Sequence, residues 1–257
     1  MEIVVHTHIG KKRTSNQDYA DYFVSPGKQA LLILCDGVGG NLAGDVASKK
    51  TTEFIGQHFL TLKDPLDLVQ MKDWLQVIMS QVNQYISLEA QNNEDQHGMG
   101  TTLVLATQVE DQLLIAHVGD SRAYAYNNQG QLIRLTDDHS LVNELIRSGQ
   151  ITPEEGINHP RRNVVTQSIG QPVDLKTEVN NFSVEDLRLL LLCSDGLNTM
   201  VSDEEIQAII QSTIDLSDLD YLADRLIEAA NEAGGLDNIT LILAKDFRIS
   251  GEEECHD

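Results

Sequence analysis

Cysteine is scarce, with Cys35, Cys193 and Cys255 the only three in 257 residues. Three cannot build a disulfide framework, and two of them sit inside apolar runs, which points to a reducing compartment. Long apolar runs are missing too. No segment reaches the roughly 18 apolar residues of a membrane span, and the start of the chain, MEIVVHTHIGKKR, has too short an apolar stretch for a secretory signal. A cytoplasmic protein with no membrane partner is the expectation. Positive charge is the third deficit: 18 Lys and Arg stand against 40 Asp and Glu, a formal net charge of −22. Nucleic-acid backbones and anionic membranes would be repelled at long range. A polyanionic substrate would need local metal ions or arginines to approach.

Hydrophobic residues make up 41% of the chain, and apolar runs are spread from residue 3 to residue 244 with no Pro- or Ser-rich linker between them. One domain over 1–247 fits that spread. The end, Ser250-Gly-Glu-Glu-Glu-Cys-His-Asp257, lacks apolar residues, so 248–257 is expected to be a flexible acidic tail.

Strand patterns cover Ile3 to Ile9, Tyr19 to Val24 and Ala30 to Cys35. Helical spacing follows over Ala43 to Phe59 and Leu66 to Leu88. Thr101 to Val109, Gln112 to Val118, Ala123 to Tyr126 and Gln131 to Leu135 read as an antiparallel meander, with a hairpin turn at Asn127-Asn128-Gln129-Gly130. Residues 138–170 are polar, carry Pro153 and Pro160, and predict only a short helix over Leu141 to Arg147. Strands return over Leu175 to Phe182, Leu187 to Cys193 and Asn238 to Ala244, and capped helices over Ser202 to Gln211 and Ser217 to Ala233. Hairpin-paired strands with helices segregated into two pairs predict an α+β sandwich.

Four acids stand where an apolar strand gives way to a loop: Asp36, Asp120, Asp195 and Asp237. Carboxylates gathered at such positions would repel one another unless divalent cations sat between them. All-oxygen ligands without a Cys/His cluster favour hard ions, Mg²⁺ or Mn²⁺. The glycines after Asp36 let a carboxylate and a backbone carbonyl, Gly37 being the candidate, approach a ligand closely. Rival motifs fail. G-x-G-x-x-G breaks at Leu42 and no Gly-Lys-Ser/Thr follows. The acids around Asp215 to Asp224 lack the EF-hand glycine and glutamate, and the histidines form no H-x-x-x-H pair. Gly119-Asp120-Ser121-Arg122-Ala123 looks like a nucleophile elbow, but a strand rather than a helix follows it.

In order, Arg13-Thr-Ser-Asn16-Gln17-Asp18, Asp36-Gly37-Val-Gly39-Gly40, Gly98-Met-Gly100-Thr101-Thr102, Val118-Gly119-Asp120-Ser121-Arg122, Ser194-Asp195-Gly196-Leu197 and Asp237-Asn238-Ile-Thr240 resemble the PPM (type 2C) family of metal-dependent protein serine/threonine phosphatases, in its bacterial single-domain form. The match runs from residue 2 to residue 246. It implies a four-layer α-β-β-α sandwich, two antiparallel sheets face to face with helices on both outer faces, and a flap near 138–170 beside the active site. It implies two Mn²⁺ or Mg²⁺ ions. Asp36 would bridge them, the Gly37 carbonyl would hold one, Asp195 and Asp237 the other, and Asp18 would act through ordered water. Asp120 matches the position of a weaker third metal. Arg13 would grip the phosphate, which suits a permanently charged planar fork, while His159, Arg161 and Arg162 of the flap would meet the phosphoprotein.

By this resemblance the chain hydrolyses phosphoserine and phosphothreonine by direct attack of a metal-bridging water, with no covalent intermediate. It would act as a monomer on phosphorylated proteins, opposing a cognate Ser/Thr kinase. One departure matters: where eukaryotic members often have His after Asp-Gly, this chain has Val38, which leaves the proton donor to a metal-bound water or to His159. The alternatives are a catalytically silent phosphoprotein-binding module on the same fold, against which the intact acids argue, and a small phosphoester or nucleotide as the target.

Overall fold

Leu31 to Cys35 is apolar at every position, and the strand it forms is buried on both faces. That explains the unbroken run, because a strand covered on both sides has no solvent face to alternate with. The computed structural model describes residues 1–38, 43–157, 159–172, 175, 177–214 and 218–247. The expected tail, 248–257, and the motif glycines Gly39 and Gly40 lie outside them.

Two antiparallel sheets face each other. One has the order β2 (Asp18–Val24), β3 (Ala30–Val38), β5 (Leu103–Val109), β6 (Gln112–Val118) and β9 (Val179–Ser183), with the short β4 (Gly100–Thr101) on the end of β3. The other has the order β1 (Glu2–His8), β11 (Ile239–Lys245), β10 (Leu187–Cys193), β7 (Arg122–Asn127) and β8 (Leu132–Arg134). Between them Leu32 and Leu34 of β3 pack with Val104, Ile115, Leu190, Leu192 and Ile242. The alternate residues Leu31, Ile33 and Cys35 face outward onto α1 (Gly44–Phe59) and α2 (Leu68–Asn92). The outer face of the second sheet carries α6 (Asp203–Thr213) and α7 (Leu219–Glu232), through Leu189, Leu191, Ile206, Ile210, Leu222 and Leu226. Each fully buried Leu or Ile contributes about 1.5–3 kcal/mol by leaving water. Capping boxes fix two helix starts, Asp67 with Gln70 for α2 and Ser202 with Glu205 for α6.

The four layers agree with the expected α+β sandwich, and three local expectations are corrected. Strand Thr101 to Val109 is broken at Thr102, whose side chain accepts the Asp36 N–H at 2.9 Å in place of a backbone partner. The meander does not stay in one sheet: β6 belongs to the first and β7 to the second, the chain crossing between them at Gly119, Asp120 and Ser121. Gly119 allows the crossing with φ of +107°, a left-handed value that side chains disfavour. The strand expected from Leu175 begins only at Val179.

Residues 138–170 form the excursion. Within it lie α3 (Leu141–Arg147), as expected, and a second short helix, α4 (Pro153–Ile157). Bridges between Ser140 and Val165 and between Thr101 and Ile169 close its two ends.

Candidate metal centre

The acids converge at one end of the sandwich because the strands that carry them end there. Asp18 opens β2 and pairs in register with Asp36 near the end of β3. Asp195 follows β10 at the start of the short helix α5 (Asp195–Asn198), Asp237 precedes β11, and Asp120 occupies the crossing between sheets. A cavity of about 370 Å³ has Arg13, Asp36, Gly37, Val38, Asp120, Asp195 and Asp237 in its wall. Asp18 lies behind them, buried, its carboxylate accepting the Ser194 hydroxyl at 2.8 Å.

Backbone anchors make the positions rigid. The Asp36 carbonyl accepts from the Thr102 N–H and the Thr101 hydroxyl, each at 2.8 Å. The Thr102 hydroxyl also meets that of Ser121 at 2.7 Å, linking the Asp36 strand end to the loop of Asp120. Beside Asp237, Asn238 donates to the carbonyls of Ile9 and Ser15 at 2.9 Å and accepts from the Gln17 N–H at 2.8 Å, which pins the loop of Arg13 and Asp18 to β11. Gly37 and Gly196 are obligatory: a Cβ on Gly37 would lie 2.4 Å from the Gly44 carbonyl oxygen, and one on Gly196 1.9 Å from that of Asn238.

Charge is crowded here. Burial, followed by the charges of Asp18, Asp195, Asp120 and Asp237, raises the Asp36 carboxyl well above the usual range. Burial pushes Asp18 up to about 7, against the hydroxyls of Thr240 and Ser194. Asp120 is pushed up to about 7 by burial and by Asp195 and Asp138, and Asp195 to about 6 by burial and Asp237. Asp36 and Asp195 thus belong to a single buried cluster, and like charges held so close call for a proton or a cation to offset them. One Asp195 carboxylate oxygen, Oδ1, is buried with no partner among the described residues. One cation answers this set directly, Arg13 Nη2 donating to Asp237 Oδ2 at 2.6 Å. All-oxygen donors, an orphaned buried carboxylate oxygen and a cluster of buried carboxyls of like charge fit hard divalent ions. Among the described residues no group of three or more His, Cys, Asp or Glu is disposed to enclose an ion by itself, so carbonyls and water would have to complete a coordination shell.

Arg13, Asp18, Asp36, Gly37, Asp120, Asp195 and Asp237 are therefore brought together, whereas His159 and Arg161 are not. Neither lines this cavity, and Arg161 is exposed. His159 turns inward on its own loop, its Nδ1 accepting the Arg161 N–H at 3.2 Å. The excursion reaches the cavity instead through Asn163, Val165 and Ser168. No histidine among the described residues lines it, so His159 is not positioned as the proton donor. Ser194, Thr101, Thr102 and Asn238 went unassigned from sequence although all lie within the strand-end motifs; small polar residues flanking each acid were the available signal.

The sequence matches the protein phosphatase 2C family model over residues 6–232. It is 41% identical over 244 residues to the protein phosphatase PhpP of Streptococcus pneumoniae, covering 95% of this chain and 96% of that protein. It is 40% identical over 247 residues to the serine/threonine phosphatase stp of Listeria innocua, with the same coverage. Among solved structures, the serine/threonine phosphatase Stp1 from Staphylococcus aureus superposes with a TM-score of 0.90 at 36% identity, over 96% of this chain and 95% of that one. The chain belongs to the protein phosphatase 2C family, the PPM class of protein serine/threonine phosphatases.

Proposed function

We propose that this chain removes phosphate from phosphoserine and phosphothreonine in proteins at a centre of two Mn²⁺ or Mg²⁺ ions. The observation that carries the reading is the convergence of Asp36, Asp120, Asp195 and Asp237 on one cavity that also holds Arg13. When bound, the ions supply an activated water and balance the charge that builds up during in-line displacement at phosphorus. Asp36, the Gly37 carbonyl, Asp195 and Asp237 would hold these ions, with Asp36 the residue shared between them. Asp18, whose carboxylate accepts the Ser194 hydroxyl, would support them through ordered water, and Asp120 would hold a weaker third ion.

Arg13 binds substrate. Its guanidinium pairs with Asp237 at 2.6 Å in the cavity wall, and its planar fork matches two phosphate oxygens. Val38 contributes only an apolar wall, so the leaving-group proton is drawn from water in the open cavity.

The relatives named as serine/threonine phosphatases support phosphoproteins as substrates and a Ser/Thr kinase as the opposing activity. Among the described residues no helix is long and apolar enough to cross a membrane; a cytoplasmic location and monomeric action belong to the same proposal.

The test is phosphate release from a phosphothreonine peptide in Mn²⁺, after EDTA, and after Mn²⁺ is restored, with ATP as a competing target. Release that EDTA abolishes, that Mn²⁺ restores and that favours the peptide is expected. Release surviving EDTA, or a preference for ATP, would contradict the proposal.

A further inference from the structure

The loop that carries Asp120 is fastened on both sides to the first residues of the excursion. On one side, the Gly119 carbonyl accepts the His139 N–H at 2.9 Å and the Gly119 N–H donates back to His139 Nδ1 at 3.2 Å. On the other, Arg122 grips Asp138 with two parallel hydrogen bonds, Nε to Oδ1 at 2.9 Å and Nη2 to Oδ2 at 2.7 Å. Arg122 is itself held from the core: its Nη1 donates to the Tyr124 hydroxyl at 2.9 Å, and that hydroxyl donates to Asp203 at the start of α6 at 2.8 Å. Arg122 and Asp138 are 18% and 16% exposed, so the pair is largely shielded from solvent and salt. Asp138 passes the constraint on, since its carbonyl accepts from Asn143 in α3 at 2.8 Å.

This bridge forms one wall of a second cavity, of about 560 Å³, which shares Asp120, Asn163 and Asp195 with the first. The excursion supplies further lining, through Val142, Ile146, Pro153 and Arg162. A small phosphoester fits within the first cavity, whereas a peptide chain leaving it on this side has to enter the second.

We propose that Arg122 is a positioning residue for protein substrates, fixing the excursion through Asp138 so that this second cavity stays shaped for the chain beside the phosphoresidue. The inference rests on the phosphatase reading above. It is tested by measuring kcat and KM for a phosphothreonine peptide and for an aryl phosphate in Mn²⁺, in the parent, Arg122→Lys, Asp138→Asn and the double variant, alongside the rate of tryptic cleavage at Arg147, Arg161 and Arg162. Arg122→Lys keeps the charge and loses only the planar fork.

Each single variant is expected to raise the peptide KM about tenfold, the double variant no further because both remove one interaction, and aryl phosphate kcat to stay within about twofold. Cleavage at the three arginines should accelerate in each variant. Equal losses on both substrates, an unmoved peptide KM with unchanged cleavage, or additive effects in the double variant would overturn the inference while leaving the phosphatase reading intact. A parent inactive on both substrates would overturn both.

Discussion

Asp195 is under several constraints: one carboxylate oxygen is buried without a partner among the described residues, and burial and the charge of Asp237 raise its carboxyl. Its carboxyl at about 6, with those of Asp18 and Asp120 at about 7, fixes the sign of a pH effect. A carboxyl raised in the folded state favours folding below its unfolded value near 3.9, and that contribution is lost as pH climbs toward the folded value. The metal-free protein should therefore lose thermal stability between pH 5 and 7.5 through this cluster. Added Mn²⁺, which needs the carboxylates ionised, should raise Tm more at pH 7.5 than at pH 6; an equal rise at both would contradict the assignment. Arg13→Ala should raise the KM for a phosphopeptide about tenfold or more, the value of a charge-assisted pair, while His159→Ala should leave both kinetic constants unchanged. The aspartates were legible because the junction of an apolar strand with a loop is a rigid mount whose direction the strand sets. His159 and Arg161 were not, because nothing in a polar loop fixes which way its side chains turn.

Strands and helices were legible where burial imposed a period or an unbroken run. Leu187 to Cys193 is observed as expected from the run, and the short helix expected over Leu141 to Arg147 is observed too, capped by Ser140. What periodicity does not encode is which sheet a strand joins, and so the crossing between β6 and β7 was invisible although it carries Asp120. Thr102 was equally hidden, since a side chain standing in for a ladder partner leaves no mark on hydropathy. The close approach of α5 to β11 gives a test at this scale. Gly196→Ala would drive a methyl group into the Asn238 carbonyl, costing about 1–3 kcal/mol as overpacking does. Because Asn238 adjoins Asp237, weaker Mn²⁺ binding by calorimetry should accompany the lower Tm. An unchanged Mn²⁺ affinity would mean that α5 and β11 do not set the site.

Across the whole molecule, a net charge of −22 surrounds a site meant for a dianion. Long-range repulsion favours phosphopeptides with basic flanks over acidic ones, and salt should narrow the difference, because screening shortens to about 3 Å at 1 M. KM measured for two such peptides at low and high salt checks this, and a gap that salt leaves unchanged would place the preference in direct contacts instead. The two outer helix layers and the core between the sheets share one task at this scale: they hold strand ends from both sheets against the repulsion of the acids they carry. The claim that those acids form a hydrolytic centre is tested most directly by the rate of phosphate release from a phosphothreonine peptide by Asp36→Asn, measured up to saturating Mn²⁺. The account predicts a loss of about 10³-fold or more that added Mn²⁺ does not recover; a folded Asp36→Asn protein with a rate near that of the parent would contradict it.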